Sequence, residues 1–379
     1  MKPLFYAVAA LFWMSLYTYM PYITPYSEEL GADLRMIGLI VGSYGITQML
    51  IRFPLGIFAD RVQKYKIFII IGLFLAALSG FLIFIFPNPI VMLIIRSLSG
   101  VTAATWVTFT ILGSAYYKAD ETIKAVGYLN TANGLGRTIA LFAGTIFAGL
   151  LGFSYAFLLG GIVAFLAFLL SFGIVEKKPS VKPPKTIELL QIVKRPMLLY
   201  ASVMAILSQY ITFATTFGFV PLVAVQMGAD NFQLGALVMV ATLPNLLISP
   251  LMWRISKKLG ARTTIAICFI LATVGVIIVP FSTALWQLFM AQLLGTAGTA
   301  GLMTLLMGLA IQDIPSHTKA TAMGFFQAVY GIGMFLGPFI MGQIAHNFGI
   351  LQAFISTSLI GTLGLLLIPL FNLAKPSKP

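Results

Sequence analysis

The chain has 379 residues, of which 59% are hydrophobic and only 9% charged. A soluble domain carries about 25% charged residues, so an ordinary water-soluble fold is excluded. Lys and Arg number 23 against 10 Asp and Glu, a formal net charge of +13; these basic residues are scattered over the edges of apolar runs, which reads as membrane topology and not as a nucleic-acid surface.

Apolar runs of roughly 20 residues recur along the whole length, each long enough to cross a bilayer as a helix. Backbone groups in lipid must be satisfied internally, which leaves helices or a closed barrel. The runs are too long and too continuously apolar for barrel strands, so twelve helices are predicted. The first, over 4–23, follows Lys2 and is read as an uncleaved span because more spans follow it. The phrase "LGADLRMIG" begins at Leu30. Its Gly31 permits a tight turn, and Asp33 caps the next helix, with proton handling at Asp33 as the alternative. The second span, 36–58, carries Tyr44, Gln48 and Arg52 at four-residue steps, hence on one face. The loop "GIFADRVQKYK" follows, with Gly56, Asp60 and Arg61. The third span covers 67–86, and Pro87-Asn88-Pro89 separates it from the fourth, 90–112, which contains "RSLSG" from Arg96 to Gly100. Asp120 and Glu121 come next. The fifth span, 123–150, holds a stripe of Asn130, Asn133 and Arg137, and the sixth covers 155–175. A polar stretch with Pro179, Pro183 and Pro184 then reads as an extended linker with a short amphipathic helix over 187–193.

The second half repeats the plan, with spans over 197–225, 234–253, 264–280, 285–308, 320–345 and 351–371. "MGADNFQLG" begins at Met227, and its Gly228 lies 197 residues after Gly31. The same offset carries Gly127, Gly134, Gly136 and Gly152 onto Gly324, Gly331, Gly333 and Gly349. The chain is therefore read as two copies of a six-helix unit in one orientation: residues 1–176, a linker over 177–196, and residues 197–379. Nearly all Lys and Arg outside the spans fall on one side; Arg35 alone lies on the other. The positive-inside rule makes that side, with both termini, cytoplasmic, in a multi-pass protein of the cell membrane. The single Cys268 excludes an internal disulfide and a cysteine metal cluster.

The loop with Gly56, Asp60 and Arg61 resembles the signature loop of the major facilitator superfamily, G-x-x-x-D-R-x-G-R-R. Gln63 stands where the pattern has Gly, and Tyr65 stands at a basic position. Arg96 to Gly100 is similar to that superfamily's R-x-x-x-G element. In the second half, "WRISKKLGAR" keeps Lys258, Gly260 and Arg262 but has Lys257 in place of the acid. The resemblance implies an all-α membrane protein of twelve helices in two pseudo-symmetric six-helix bundles, working as a secondary transporter by alternating access. It also implies that Gly56, Asp60 and Arg61, with Asp120 or Glu121, latch the two halves. "GIGMFLGPFIMG" on the eleventh span looks like the glycine-proline element of the family's antiporters, which belongs on the fifth. There Ala140-Leu141 replaces it, so antiport is not read from it; close helix packing is the plain reading.

Arg52, Arg96 and Arg137 are the informative charges. Each costs about 2.5–3.5 kcal/mol near the bilayer centre on an insertion scale. All ten acids lie at loops or span edges, so an anionic substrate is the expected counter-ion. The expected cavity near the midplane is lined by these arginines with Tyr44, Gln48, Asn130 and Asn133, and by Gln209, Tyr210, Asn245, Gln327 and Tyr330 from the second half. The alternative for each arginine is to bond backbone carbonyls of a neighbouring helix; Arg52 would then tie those freed near Pro54. Two substrate classes stay open: a small anion, or an amphipathic drug-like compound for export. An enzyme would need a nucleophile–base pair or metal cluster at mid-depth, which the spans lack. The expected partners are a small-molecule substrate and the lipid bilayer, with no cofactor, no nucleic acid and a monomeric chain.

Overall fold

The computed structural model describes residues 2–117, 122–177, 194–312, 314 and 319–370. Twelve helices among them are long and apolar enough to span a membrane. They are α1 (Lys2–Glu29), α2 (Leu34–Ala59), α3 (Tyr65–Ile85), α4 (Pro89–Ala115), α5 (Gly127–Leu151) and α6 (Phe153–Ser171) in the first half. The second half gives α7 (Pro196–Gln226), α8 (Asn231–Leu259), α9 (Ala261–Phe281), α10 (Leu285–Gln312), α11 (Ala322–Phe348) and α12 (Ile350–Leu367). Large apolar side chains such as Ile94, Phe142, Ile162, Ile270 and Leu359 are exposed along these spans. That is the surface lipid requires, because hydrocarbon tails are as apolar as leucine.

Four spans are interrupted. A 3₁₀ turn at Met20–Tyr22 interrupts α1, Thr105 separates two helical pieces of α4, a π-turn at Thr215–Phe219 interrupts α7, and a 3₁₀ turn at Ser249–Leu251 interrupts α8. Each break alters which carbonyls find an intrahelical partner.

The described residues fall into two compact units. One draws on Met1–Ala32, Ile46–Pro183 and Asp230–Gly235; the other on Asp33–Gly45, Pro184–Ala229 and Ala236–Pro379. Each unit thus takes in a short piece that the chain writes in the opposite half, and each piece begins at the aspartate of a repeated phrase, Asp33 or Asp230. In the second unit, a Cβ on Gly38 would stand 2.3 Å from the Pro338 carbonyl oxygen and 2.9 Å from Gly342 Cα. In the first unit, a Cβ on Gly235 would stand within bonding contact of the Thr145 side chain, and Asn231 donates to the Ala148 carbonyl at 2.8 Å. Gly342 and Thr145 are themselves repeat mates, 197 residues apart, so the two contacts are one contact made twice. Both aspartates cap: Asp33 accepts from the Met36 N–H at 2.7 Å, and Asp230 and Gln233 bond each other's backbone N–H at 2.7 and 2.9 Å. Gly31 and Gly228, at φ 90° and 84°, make the turns before them. Asp33 also meets His346 Nδ1 at 3.4 Å, near the last turn of α11.

At the other end of the first unit, the start of α3 is tied to the end of α6. The Glu176 carboxylate accepts from the Tyr65 and Lys66 backbone N–H groups, each at 3.0 Å. Lys66 Nζ donates in return to the Phe172 carbonyl at 2.7 Å. Each charge faces the helix end that its sign favours. Beside them the Tyr116 hydroxyl donates to the Val175 carbonyl; burial first, then the Glu176 charge, push this phenol up to about 12. Glu176→Gln removes the charge from a two-bond cap and is expected to cost about 1 kcal/mol, read as a lower melting temperature of the purified protein in detergent. Next to this junction, Gln63 adopts φ 53°. The signature-loop position normally held by Gly does need the left-handed conformation, and its repeat mate Gly260 has φ 84°.

Candidate functional site

The three intramembrane arginines sit in the first unit in three different environments. Arg96 on α4 is 1% exposed. Its guanidinium lies near the Tyr19 hydroxyl, which is 3.1 Å from Ser99 Oγ, while the Tyr19 ring stacks on Phe157 at 4.6 Å. The Tyr19–Ser99 bond joins α1 to α4 inside the bundle, with Arg96 enclosed beside it. Arg52 on α2 is 8% exposed and donates from Nη2 to the Ala103 carbonyl at 3.2 Å. Ala103 lies just before the break in α4, so this bond ties Arg52 to a carbonyl at that break.

Arg137 on α5 is only partly buried, and its guanidinium carbon lies 4.3 Å from the centroid of the Tyr17 ring on α1. Glycine makes this pairing possible. A Cβ on Gly136 would stand 2.1 Å from the Ala10 carbonyl oxygen, so α1 and α5 touch backbone to backbone one residue before Arg137. Asn133 is partly buried and Asn130 exposed on the same stripe. The Tyr17 ring continues into Trp13 at 5.9 Å, and Trp13 meets Trp106 of α4 edge-on at 5.2 Å. Arg137 thus ends a chain of rings from α1 and α4. Tyr17, Trp13 and Trp106 were not among the expected site residues, although Tyr6, Trp13 and Tyr17 repeat on one helical face of α1.

The remaining expected residues are less closely grouped. Gln48, 8% exposed, lies in the first unit with Arg52, whereas Tyr44 lies in the second unit, stacked on Phe213 at 6.1 Å. Gln209 donates to the Met303 sulfur at 3.6 Å, and Tyr330 meets Phe326 edge-on at 5.5 Å. Tyr210 is buried, Gln327 partly buried and Asn245 exposed. Of the expected latch, Gly56 is partly buried and Arg61 exposed on the long helix of α2. Asp120, Glu121, the Asp60 side chain and the linker helix over 187–193 lie outside the described residues.

Twelve helices of membrane-spanning length and a family match over nearly the whole chain make this a multi-pass membrane transporter. The chain belongs to the Major Facilitator Superfamily, whose sequence model matches residues 5–228 and 202–379. An uncharacterised transporter of this type from Methanocaldococcus jannaschii is 26% identical over 357 residues, covering 89% of this chain and 91% of its own. The multi-drug resistance efflux pump PmrA of Streptococcus pneumoniae is 24% identical over 353 residues, covering 89% and 88%. Among solved structures, a bacterial homologue of the human lysosomal transporter Spinster superposes with a TM-score of 0.82 at 14% identity, over 99% of this chain and 98% of that one. The nucleoside transporter NupG gives 0.79 at 13%, over 97% and 99%. These two likenesses establish the fold.

Proposed function

We propose that this transporter carries a small amphipathic organic anion, with Arg137 as its charge partner and the Tyr17 ring as its apolar wall, backed by the buried rings of Trp13 and Trp106. The observation that carries this reading is the contrast among the arginines. Arg52 donates to the Ala103 carbonyl and Arg96 is enclosed beside Tyr19, and both are read as helix ties, while Arg137 is laid on a ring with part of its surface open. A guanidinium stacked on an aromatic face keeps its in-plane N–H donors for a carboxylate, which it can grip with two parallel bonds. Asn130, Asn133 and Gln48 supply neutral donors and acceptors around it. The skewed distribution of Lys and Arg makes the end bearing both termini cytoplasmic in this reading. A second reading, export of amphipathic drugs, is favoured by the aromatic wall and by the likeness to PmrA.

Binding of salicylate, an aromatic carboxylate, to the purified protein tests the proposal. Arg137→Gln is expected to weaken it about tenfold to a hundredfold, the loss of one charge-assisted pair, with little change in melting temperature. Salicylate binding that survives Arg137→Gln, together with tight binding of tetraphenylphosphonium, would favour the drug-export reading instead.

A further inference from the structure

Among the described residues of the first unit, Tyr17 is one of two rings that hold a cation by the face. The other is Tyr117, whose centroid lies 3.6 Å from Lys2 Nζ at the start of α1. Tyr117 sits just beyond the end of α4, and its hydroxyl accepts from the Tyr6 hydroxyl at 3.1 Å. Tyr128 of α5 completes the group, 5.8 Å from the Tyr6 ring and 6.4 Å from the Tyr117 ring, the latter pair nearly parallel. Tyr128 is 49% exposed, so this triad opens outward at the end of the bundle that carries the N-terminus.

The triad and the Arg137 face are joined by sequence register. Tyr6 precedes Tyr17 by eleven residues on α1, three helical turns, so the two lie on one side of that helix about 16 Å apart along its axis. On the neighbouring span, Trp106 starts the second helical piece of α4 and Tyr117 follows its end. Trp13 falls between Tyr6 and Tyr17 on the same side and touches Trp106. Two helices thus carry rings from the rim to mid-depth, with a cation laid on a tyrosine at each end.

We infer that Lys2 with Tyr6, Tyr117 and Tyr128 forms an outer binding station for the same class of aromatic anion, loaded before or after the Arg137 station. This rests on the reading of Arg137 given above. Lys2 supplies the charge, Tyr117 fixes the ammonium at the mouth of the ring track, and the Tyr128 face takes the apolar part of the cargo. Being exposed, the station is the weaker of the two, since cation–π contacts at such sites contribute only about 0.5–1 kcal/mol.

Calorimetric titration of salicylate into the full-length protein separates the two stations. The wild type is expected to show a tight and a weak site. Lys2→Gln loses the weak site and keeps the tight one; Arg137→Gln does the reverse. Tyr117→Phe preserves the weak site because the ring face remains, whereas Tyr117→Leu weakens it roughly threefold to fivefold. A Lys2→Gln titration identical to wild type overturns the outer station and leaves the Arg137 reading standing. Unchanged tight binding in Arg137→Gln overturns that reading itself.

Discussion

Gly136→Ala and Gly333→Ala each lower the melting temperature of the purified protein and cut the yield of folded transporter, whereas Gly127→Ala and Gly324→Ala do neither. The four residues are two repeat pairs, indistinguishable by sequence register, yet their surroundings differ. A Cβ at Gly136 would stand 2.1 Å from the Ala10 carbonyl oxygen, and one at Gly333 would stand 2.0 Å from that of Ile206. Both obstacles are backbone of a neighbouring helix, so relief requires α1 to leave α5, or α7 to leave α11. Overpacking of this kind costs about 1–3 kcal/mol, and more where backbone must move. Helices in lipid gain no hydrophobic drive to compensate, because their association rests on close packing itself. At Gly127 and Gly324 nothing among the described residues lies within 4 Å of the added carbon, and alanine brings only its better helix propensity, up to about 1 kcal/mol. Thermal unfolding in detergent, monitored by circular dichroism, reads both outcomes. Equal melting temperatures for all four variants would remove the close approach from the account of the fold.

Arg96→Ala is expected to destabilise the first unit by about 3–5 kcal/mol while leaving the salicylate affinity of the surviving folded fraction unchanged. The large cost follows from deleting a long side chain at 1% exposure; cavities from such truncations cost about 2–5 kcal/mol. Tyr19→Phe is the gentler control. It keeps the stacking on Phe157 but removes the hydroxyl that bonds Ser99 Oγ, and should lose about 1 kcal/mol. Paired measurement of melting temperature and salicylate affinity then sorts the arginines: Arg96→Ala moves the first quantity, Arg137→Gln the second. An Arg96→Ala protein that melts like wild type but fails to bind would reverse the assignment of the two residues.

Span number, the duplication and the family were legible in the sequence because each rests on long-range regularity: apolar runs of membrane length, and a glycine register held over 197 residues. The caps at Asp33 and Asp230 were legible for the same reason, since capping is local chemistry. The division of labour among the arginines was not. Helical spacing puts Tyr44, Gln48 and Arg52 on one face, but it is silent on where α4 breaks, and that break places the Ala103 carbonyl in front of Arg52. Nor does spacing say that Tyr19, at the 3₁₀ turn of α1, lies beside Arg96. The repeated phrases were legible as turns and caps, while the packing of Gly38 onto Gly342 and of Gly235 onto Thr145 depends on tertiary contacts that no local window contains.

Upstream of the π-turn at Thr215–Phe219 the two copies run 196 residues apart, for Ile206 stands to Gly333 as Ala10 stands to Gly136. Downstream they run 197 apart, at Gly31 and Gly228. The later copy therefore holds one amino acid more between these points, and a turn bonded i to i+5 is how a helix stores such a surplus without rotating everything after it. The π-turn of α7 and the 3₁₀ turn of α1 fall at matching places in the two copies, so the extra residue is absorbed there and each half still brings its aspartate to cap the following helix.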